Sequence, residues 1–307
     1  MYTQQDIERN LKKLGISTGD MLFVRISYKA IGKVEGGPKA VIDAILNVIG
    51  DEGTLLATAF PKRIPSYKRW FHRNYIYKKG MKPSTGAIPS VMCTYSNAFF
   101  SSNPISPYVA IGKNAEKITS IHRPDTESYA IVKYIITNYN PKCLRIGGNE
   151  LDGTTHLALS EVLSDREEYQ VRLPSGIYFI ENGVKKWKER TVSKFCYNGY
   201  KQFYIQYIQE DPSAVLKSGK VGEGDAVVTS MTRTYMIEKR YISEDPRVLF
   251  CKSDSCMTCR VSFSYSDYSK FSYIKRNFRR LFTTEWKEYI REVRVLLRMA
   301  LFGKHCI

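Results

Sequence analysis

The chain has 307 residues but only 30 acidic side chains against 47 lysines and arginines, a formal net charge of +17. So large a deficit of negative charge predicts attraction to anions: nucleic acid, an anionic membrane surface, or phosphorylated small molecules such as nucleotides and coenzyme A. Long hydrophobic runs are lacking. No stretch approaches the roughly 18 consecutive apolar residues of a spanning helix. The opening segment MYTQQDIERNLKKLG has no apolar core followed by a small-residue cleavage site, so no signal peptide is visible and a cytoplasmic protein is expected. Seven cysteines, an odd number at irregular spacing, argue against a disulfide framework and for thiols or a metal. Zinc-finger spacing and an aromatic RNA-platform motif are both missing, so nucleic acid as a partner has charge alone behind it.

What is present suits a globular α/β protein. At 43% hydrophobic and 13% aromatic residues, the chain can bury a sizeable core. Residues 7–14 read as a short helix and Met21 to Ile26 as a buried strand. After the glycines of VEGGPK, Val41, Ile42, Ile45, Leu46 and Ile49 follow helical spacing, and Thr54 to Phe60 forms a second strand. This strand, glycine loop, helix, strand unit is the usual base of an α/β sheet. Residues 61–82 are basic and aromatic without a clean period, which predicts a loop or insertion over a site. KCLRIG at 142–147 is a further core strand, followed by the turn and helix GGNELDGTTHLALSEVL. Shorter strands begin near Tyr169, placing a boundary near 165–170. From Ser262 apolar residues recur every three or four positions between arginines and lysines, the pattern of one or two basic amphipathic helices.

Chemistry has few places to sit. Gly32 to Lys39 has the glycine spacing of a phosphate loop, but Pro38 stands where its lysine would be and Ala40 where its hydroxyl would be, which argues against a nucleoside triphosphate site. Gly36 and Gly37 still allow close backbone approach, with a helix N-terminus following; a plain turn is the bland alternative. Among four histidines, His72 and His305 lie in solvated segments and His122 precedes a turn. His156 lies where a glycine-rich turn leaving a strand becomes a helix, and the C-terminal ends of strands are where α/β folds place reactive groups.

The blocks GDMLFVRISYKAIGKVEGGPKAVIDAILNVIGDEGTLLATAF, PSTGAIPSVM, SSNPISPYVAIGKNAEKI and LRIGGNELDGTTHLALSE, in this order, resemble the aminoglycoside 3-N-acetyltransferase family over roughly residues 5–245. The resemblance implies an acetyl-coenzyme A dependent N-acetyltransferase of three-layer α/β/α fold, with a mixed central sheet and a smaller C-terminal subdomain. Region 1–168 would bind acetyl-CoA, 169–261 would form the strand-rich subdomain, and 262–307 the helical tail. By the same matching His156 is the general base, Glu189 its supporting carboxylate, and Ser27, Gly36 and Gly37 face the coenzyme. Imidazole titrates in the range needed to take a proton from an amine attacking a thioester. Direct transfer needs no enzyme nucleophile; a route through Cys93 or Cys143 competes, but both lie in apolar runs where cysteine is usually a small core residue.

The sequence also departs from that family. Arg25, Ile26 and Ser27 replace His-Ser-Ser, Thr58, Ala59 and Phe60 replace Pro-Thr-Phe, Asn103-Pro104 replaces His-Pro, and Leu159 replaces a glutamate, with Glu161 shifted. Antibiotic-modifying relatives tend to bind polycationic drugs in acidic pockets, so the basic balance here favours an anionic acceptor, such as a nucleotide- or glycan-linked amino sugar. An aminoglycoside acceptor is the alternative, and a catalytically silent scaffold the alternative of another class. Cys251, Cys256 and Cys259 form C-x4-C-x2-C, which could share a structural zinc with Cys306 or His305; a surface turn weighs equally. The tail helix suits packing on the body, a homodimer interface, or an anionic membrane surface.

Overall fold

A computed structural model describes residues 1–148, 154–165, 170–193, 196–251, 256, 274–275, 277–287, 289–290, 292–294 and 297. Helix α1 (Gln4–Lys13) starts at a capping box in which Thr3 and Asp6 satisfy each other's backbone N–H groups. Strand β1 (Met21–Ile26), the short α2 (Tyr28–Ile31), α3 (Gly37–Ile49) and β2 (Thr54–Thr58) complete the expected unit. Then follow β3 (Ile64–Pro65), a 3-10 helix at Ser66–His72, α4 (Ala87–Met92), β4 (Phe99–Phe100), β5 (Tyr108–Gly112), α5 (Ala115–Ser120), α6 (Ala130–Asn138) and β6 (Lys142–Ile146). The later elements are α7 (Thr154–Leu163), β7 (Gln170–Glu181), β8 (Val184–Ser193), α8 (Tyr197–Glu210), β9 (Val215–Val221), β10 (Gly224–Ser230) and α9 (Met231–Glu244).

Seven strands form one mixed sheet in the order β4-β5-β2-β1-β6-β10-β9. Its centre, β2-β1-β6, is parallel, and β5 and β10 flank it antiparallel. Alternation along a strand sends successive side chains to opposite faces, and β1 shows the result. Leu22 and Val24 join the core beneath α1, α3 and α4, while Met21 and Phe23 join the one beneath α5 and α6. Helices on both faces make the three layers. A third cluster joins Leu159 and Leu163 of α7 to Tyr200, Phe203 and Tyr207 of α8 and Ile237 and Ile242 of α9.

Near the sequence boundary at 165–170 the chain leaves the sheet for the β7–β8 hairpin, which pairs with β3 in a separate antiparallel sheet. Residues 215–230 then return to the main sheet as β9 and β10, so the C-terminal segment is woven into the N-terminal body. In the tail, Phe278–Phe282 is a short 3-10 turn, Tyr289 is buried with its hydroxyl donating to the Ile274 carbonyl, and Phe278, Phe282 and Trp286 are exposed. Most of the predicted tail helix lies outside the described residues.

Candidate active site

The three parallel strands end together, and a cavity of about 560 Å³ opens over their C-terminal ends. Its floor carries Arg25 and Ile26 at the end of β1 and Ser27 just after it, Thr58 at the end of β2 and Phe60 beyond it, and Gly147 after β6. The segment Thr85–Pro89, part of the PSTGAIPSVM block, forms the opposite wall. It is tied to the floor where Thr85 Oγ1 donates to the Thr58 carbonyl (2.7 Å) and the Ser84 N–H to the Phe60 carbonyl (2.8 Å). Gly147 has φ +78°, and a Cβ there would lie 2.4 Å from that of Ala30 and 3.0 Å from that of Ser27. Only glycine allows the strand end and α2 to approach so closely.

Of the expected coenzyme contacts, Ser27 lines this cavity, with its N–H donating to the Ile146 carbonyl (2.9 Å). Gly36 does not. It lines a separate groove of about 350 Å³ with Thr3, Glu35, Lys39 and Asp43. Gly36 and Gly37 adopt successive positive φ values of 75° and 68°, and a Cβ on Gly37 would lie 3.9 Å from the hydroxyl oxygen of Tyr28, which itself lines the main cavity. The glycine pair thus shapes the turn behind the cavity wall rather than its surface. Arg25 and Lys29 are cationic members of a lining that also includes apolar Val24, Ile26 and Ile88. That mixture suits a ligand with both phosphate and alkyl parts, as coenzyme A has.

His156 lies in the first turn of α7 and stacks on Tyr129, with ring centroids 5.3 Å apart and planes 10° from parallel. Burial, and then the charges of Arg190 and Arg25, push its imidazole down to about 3. Strand alternation explains Arg25: it shares the face of Phe23, towards α6 and α7, whereas Ile26 packs with the opposite core. Burial raises the Tyr129 hydroxyl, opposed by the charge of Arg190 and a hydrogen bond from it. Arg63 is lowered to about 10, by burial and then by repulsion from Arg190. Three guanidinium groups therefore converge on the surroundings of His156 and Tyr129.

The structure does not bring Glu189 to His156. Its carboxylate is exposed on β8 and accepts from Ser66 Oγ (2.8 Å) and Trp187 Nε1 (3.2 Å). The cause is the period of two along a strand: Arg190 faces the histidine, so its neighbour Glu189 faces away. A different carboxylate lies beneath the start of α7. Fully buried Glu238 of α9 accepts at Oε1 from the hydroxyls of Thr155 (2.6 Å), Tyr200 (3.1 Å) and Tyr207 (3.1 Å). Arg63, Tyr129, Arg190 and Glu238 escaped the sequence reading. Arg63 alone had a signal there, in the basic segment expected to lie over a site.

The other candidates have settled places. His122 is buried, with Nδ1 3.1 Å from Ser101 Oγ and Nε2 3.1 Å from the Glu127 carbonyl. Asn103 accepts from the N–H groups of Ile105 and Ser106 and donates to the carbonyls of Arg123 and Thr126, which holds a turn. Glu161 pairs with Lys133 and Lys239 at the surface. Burial pushes the Cys93 thiol up to about 11, and Cys143 lies inside the core. Both are poorly placed to act as nucleophiles. Cys251 and Cys256 lie together, joined by Cys196, which sequence spacing did not suggest; Cys259, His305 and Cys306 lie outside the described residues.

A family model for aminoglycoside 3-N-acetyltransferases matches residues 23–243. The chain belongs to this family, and it is an acyltransferase of the N-acetyltransferase class. It is 27% identical over 266 residues to the SPbeta prophage-derived aminoglycoside N(3')-acetyltransferase-like protein YokD of Bacillus subtilis (strain 168), an alignment covering 80% of this chain and 94% of that protein. Identity to aminoglycoside N(3)-acetyltransferase III of a Salmonella species is 27% over 265 residues, 79% of this chain and 89% of that one. Among solved structures, AAC-IIIb in binary complex with CoASH superposes with a TM-score of 0.67 at 17% identity, covering 79% of this chain and 96% of that chain. AAC-VIa bound to sisomicin gives 0.66 at 18% identity, covering 79% and 98%.

Proposed function

We propose that the chain transfers acetyl from acetyl-coenzyme A to an amine of an amino sugar, with His156 receiving the amine proton. The single observation that carries this is the placement of His156 at the start of α7, its surroundings sharing Arg25 with the cavity over the strand ends. Ser27, Tyr28, Arg25 and Lys29 would hold the coenzyme there, and the coenzyme would supply a thioester carbonyl. The amine lone pair forms the new C–N bond, the C–S bond breaks, and the leaving thiolate takes up a proton. His156 enters neutral, the form that accepts a proton. Its basicity is suppressed by burial first and then by Arg190 and Arg25, so an anion settling on those guanidiniums relieves the repulsive part and strengthens the base.

Family membership favours an aminoglycoside as the acceptor. A second reading, an amino sugar carrying its own phosphate or carboxylate, is favoured by one observation: the groups around His156 include Arg25, Arg63 and Arg190. Attachment of the tail to an anionic membrane surface is a further proposal, supported by exposed Phe278, Phe282 and Trp286 among Lys275, Arg279 and Lys287. Calorimetric titration of acetyl-coenzyme A into the full chain, followed by acetylation assays on aminoglycosides and nucleotide-linked amino sugars in parallel, tests the assignment. Micromolar coenzyme binding with turnover on either acceptor class is expected. Folded protein that binds no coenzyme would point to the scaffold alternative.

A further inference from the structure

Away from the cavity, the start of α8 meets the segment that follows the 3-10 turn Pro246–Leu249. Cys196 caps α8, Cys251 follows that turn, and Cys256 comes five residues later; their three sulfur atoms lie within 4.8 Å of one another. Cys196 and Cys251 are buried and Cys256 half-buried. The Sγ atoms of Cys196 and Cys256 are 3.6 Å apart. Zinc bound tetrahedrally at about 2.3 Å per sulfur would set its ligands about 3.8 Å apart, whereas a disulfide would need about 2.05 Å.

The backbone brings the same two segments together independently of the sulfurs. The Cys196 N–H donates to the Leu249 carbonyl (3.2 Å). A Cβ on Gly199 would fall 2.3 Å from that carbonyl oxygen and 2.6 Å from the Cys251 nitrogen. Glycine at 199 is what permits α8 to press onto the segment carrying Cys251.

We infer that Cys196, Cys251 and Cys256 bind a structural zinc ion, because three buried or half-buried sulfurs converge at metal-ligand spacing where two distant segments touch. An all-sulfur set is soft and selects zinc over magnesium or calcium. Cys259, which follows Cys256 at C-x2-C spacing, lies outside the described residues. The site clamps the N-terminus of α8, which carries the Tyr200 and Tyr207 hydroxyls that bond Glu238 beneath Thr155. Zinc therefore holds the far side of the scaffold on which His156 sits and takes no part in acetyl transfer. On binding, each coordinating thiol gives up its proton to solvent and the sulfur forms a bond to zinc, with no change of oxidation state.

The test is metal analysis of the full chain purified without chelator, with a mercurial thiol reagent titrated into the same sample. About one zinc per chain is expected, released in step with mercurial addition. Cys196→Ser and Cys251→Ser should lose the metal, and Cys93→Ser should keep it. If the serine variants fail to fold, wild-type protein with the metal exchanged for cobalt still decides the matter through the visible spectrum of tetrahedral cobalt thiolate. Folded wild-type protein that holds no zinc and takes up neither zinc nor cobalt after reduction would overturn the site. So would a Cys196–Cys256 disulfide in the unreduced chain.

Discussion

The parallel centre of the sheet and the lobe built from α7, α8 and α9 are held together by different physics. In the centre, Leu22, Phe23, Leu55, Leu56 and Leu144 are fully buried, and their positions follow from apolar burial on a pleated surface. In the lobe, the interior includes Glu238 with three hydroxyl donors, and Arg145 reaches it from β6, its guanidinium donating to the Tyr204 hydroxyl of α8 and lying over that ring (4.6 Å). Apolar contacts tolerate a small shift, whereas hydrogen bonds to one buried carboxylate oxygen fix direction as well as distance. The candidate reactive residue belongs to the second kind of surroundings, and its helix starts on that network.

The largest effect should separate the base from everything around it. His156→Ala is expected to lower turnover roughly a hundred- to ten-thousand-fold, the usual contribution of a general base. Coenzyme affinity should be unchanged, because the cavity over the strand ends does not include the imidazole. Steady-state rates beside calorimetric titration give both numbers. Full activity in the variant would remove His156 from the mechanism and leave the lobe as scaffold.

A smaller effect sharpens the contrast between the two regions. Leu55→Ala in the sheet centre should cost about 2–5 kcal/mol of stability through cavity formation, with turnover per folded molecule preserved. Glu238→Ala takes the shared acceptor from Thr155, Tyr200 and Tyr207, and removing one side of a buried hydrogen bond costs about 1–3 kcal/mol. Because Thr155 adjoins His156, this variant should lose turnover as well as stability, and Glu238→Gln, which keeps an acceptor oxygen, should recover part of both. Denaturant unfolding and rates corrected for folded fraction decide it. Equal turnover in Leu55→Ala and Glu238→Ala would mean that the network stabilises without positioning.

The same contrast explains what could be seen in the sequence. Helix α3 and strands β1, β2 and β6 are legible because burial writes a period into the sequence, 3.6 for Val41, Ile45 and Ile49 and near-continuous apolarity for the parallel strands. The candidates Ser27 and His156 follow from the family resemblance, and His156 also from its place where a glycine-rich turn becomes a helix. Glu189 follows from matching to the family, which does not register the alternation that turns it outward and Arg190 inward. Glu238 sits in MTRTYMIEKRYISE, where a glutamate on an amphipathic helix reads as solvated. Its burial depends on hydroxyls at positions 155, 200 and 207, a convergence that no local pattern records.

The smallest effect concerns two histidines, one beside the sheet and one at the lobe, and works through pH. His122, packed against Tyr108 of β5, is pushed down to about 4 chiefly by burial, and His156 to about 3 by burial with Arg190 and Arg25. Unfolded, both would titrate near 6.5. Between pH 6.5 and 4 the unfolded chain therefore binds more protons, so the stability these neutral imidazoles contribute is present above 6.5 and is lost as pH falls. The chain has only four histidines, few enough for each imidazole to be followed by NMR titration. Adding the coenzyme should then divide the pair. An anion on Arg25 removes part of the repulsion on His156 and raises its pKa, whereas the ring nitrogens of His122 lie against Ser101 Oγ and the Glu127 carbonyl and should not respond. An equal response in both would show that the guanidinium groups do not set the basicity of His156, and that burial alone governs both imidazoles.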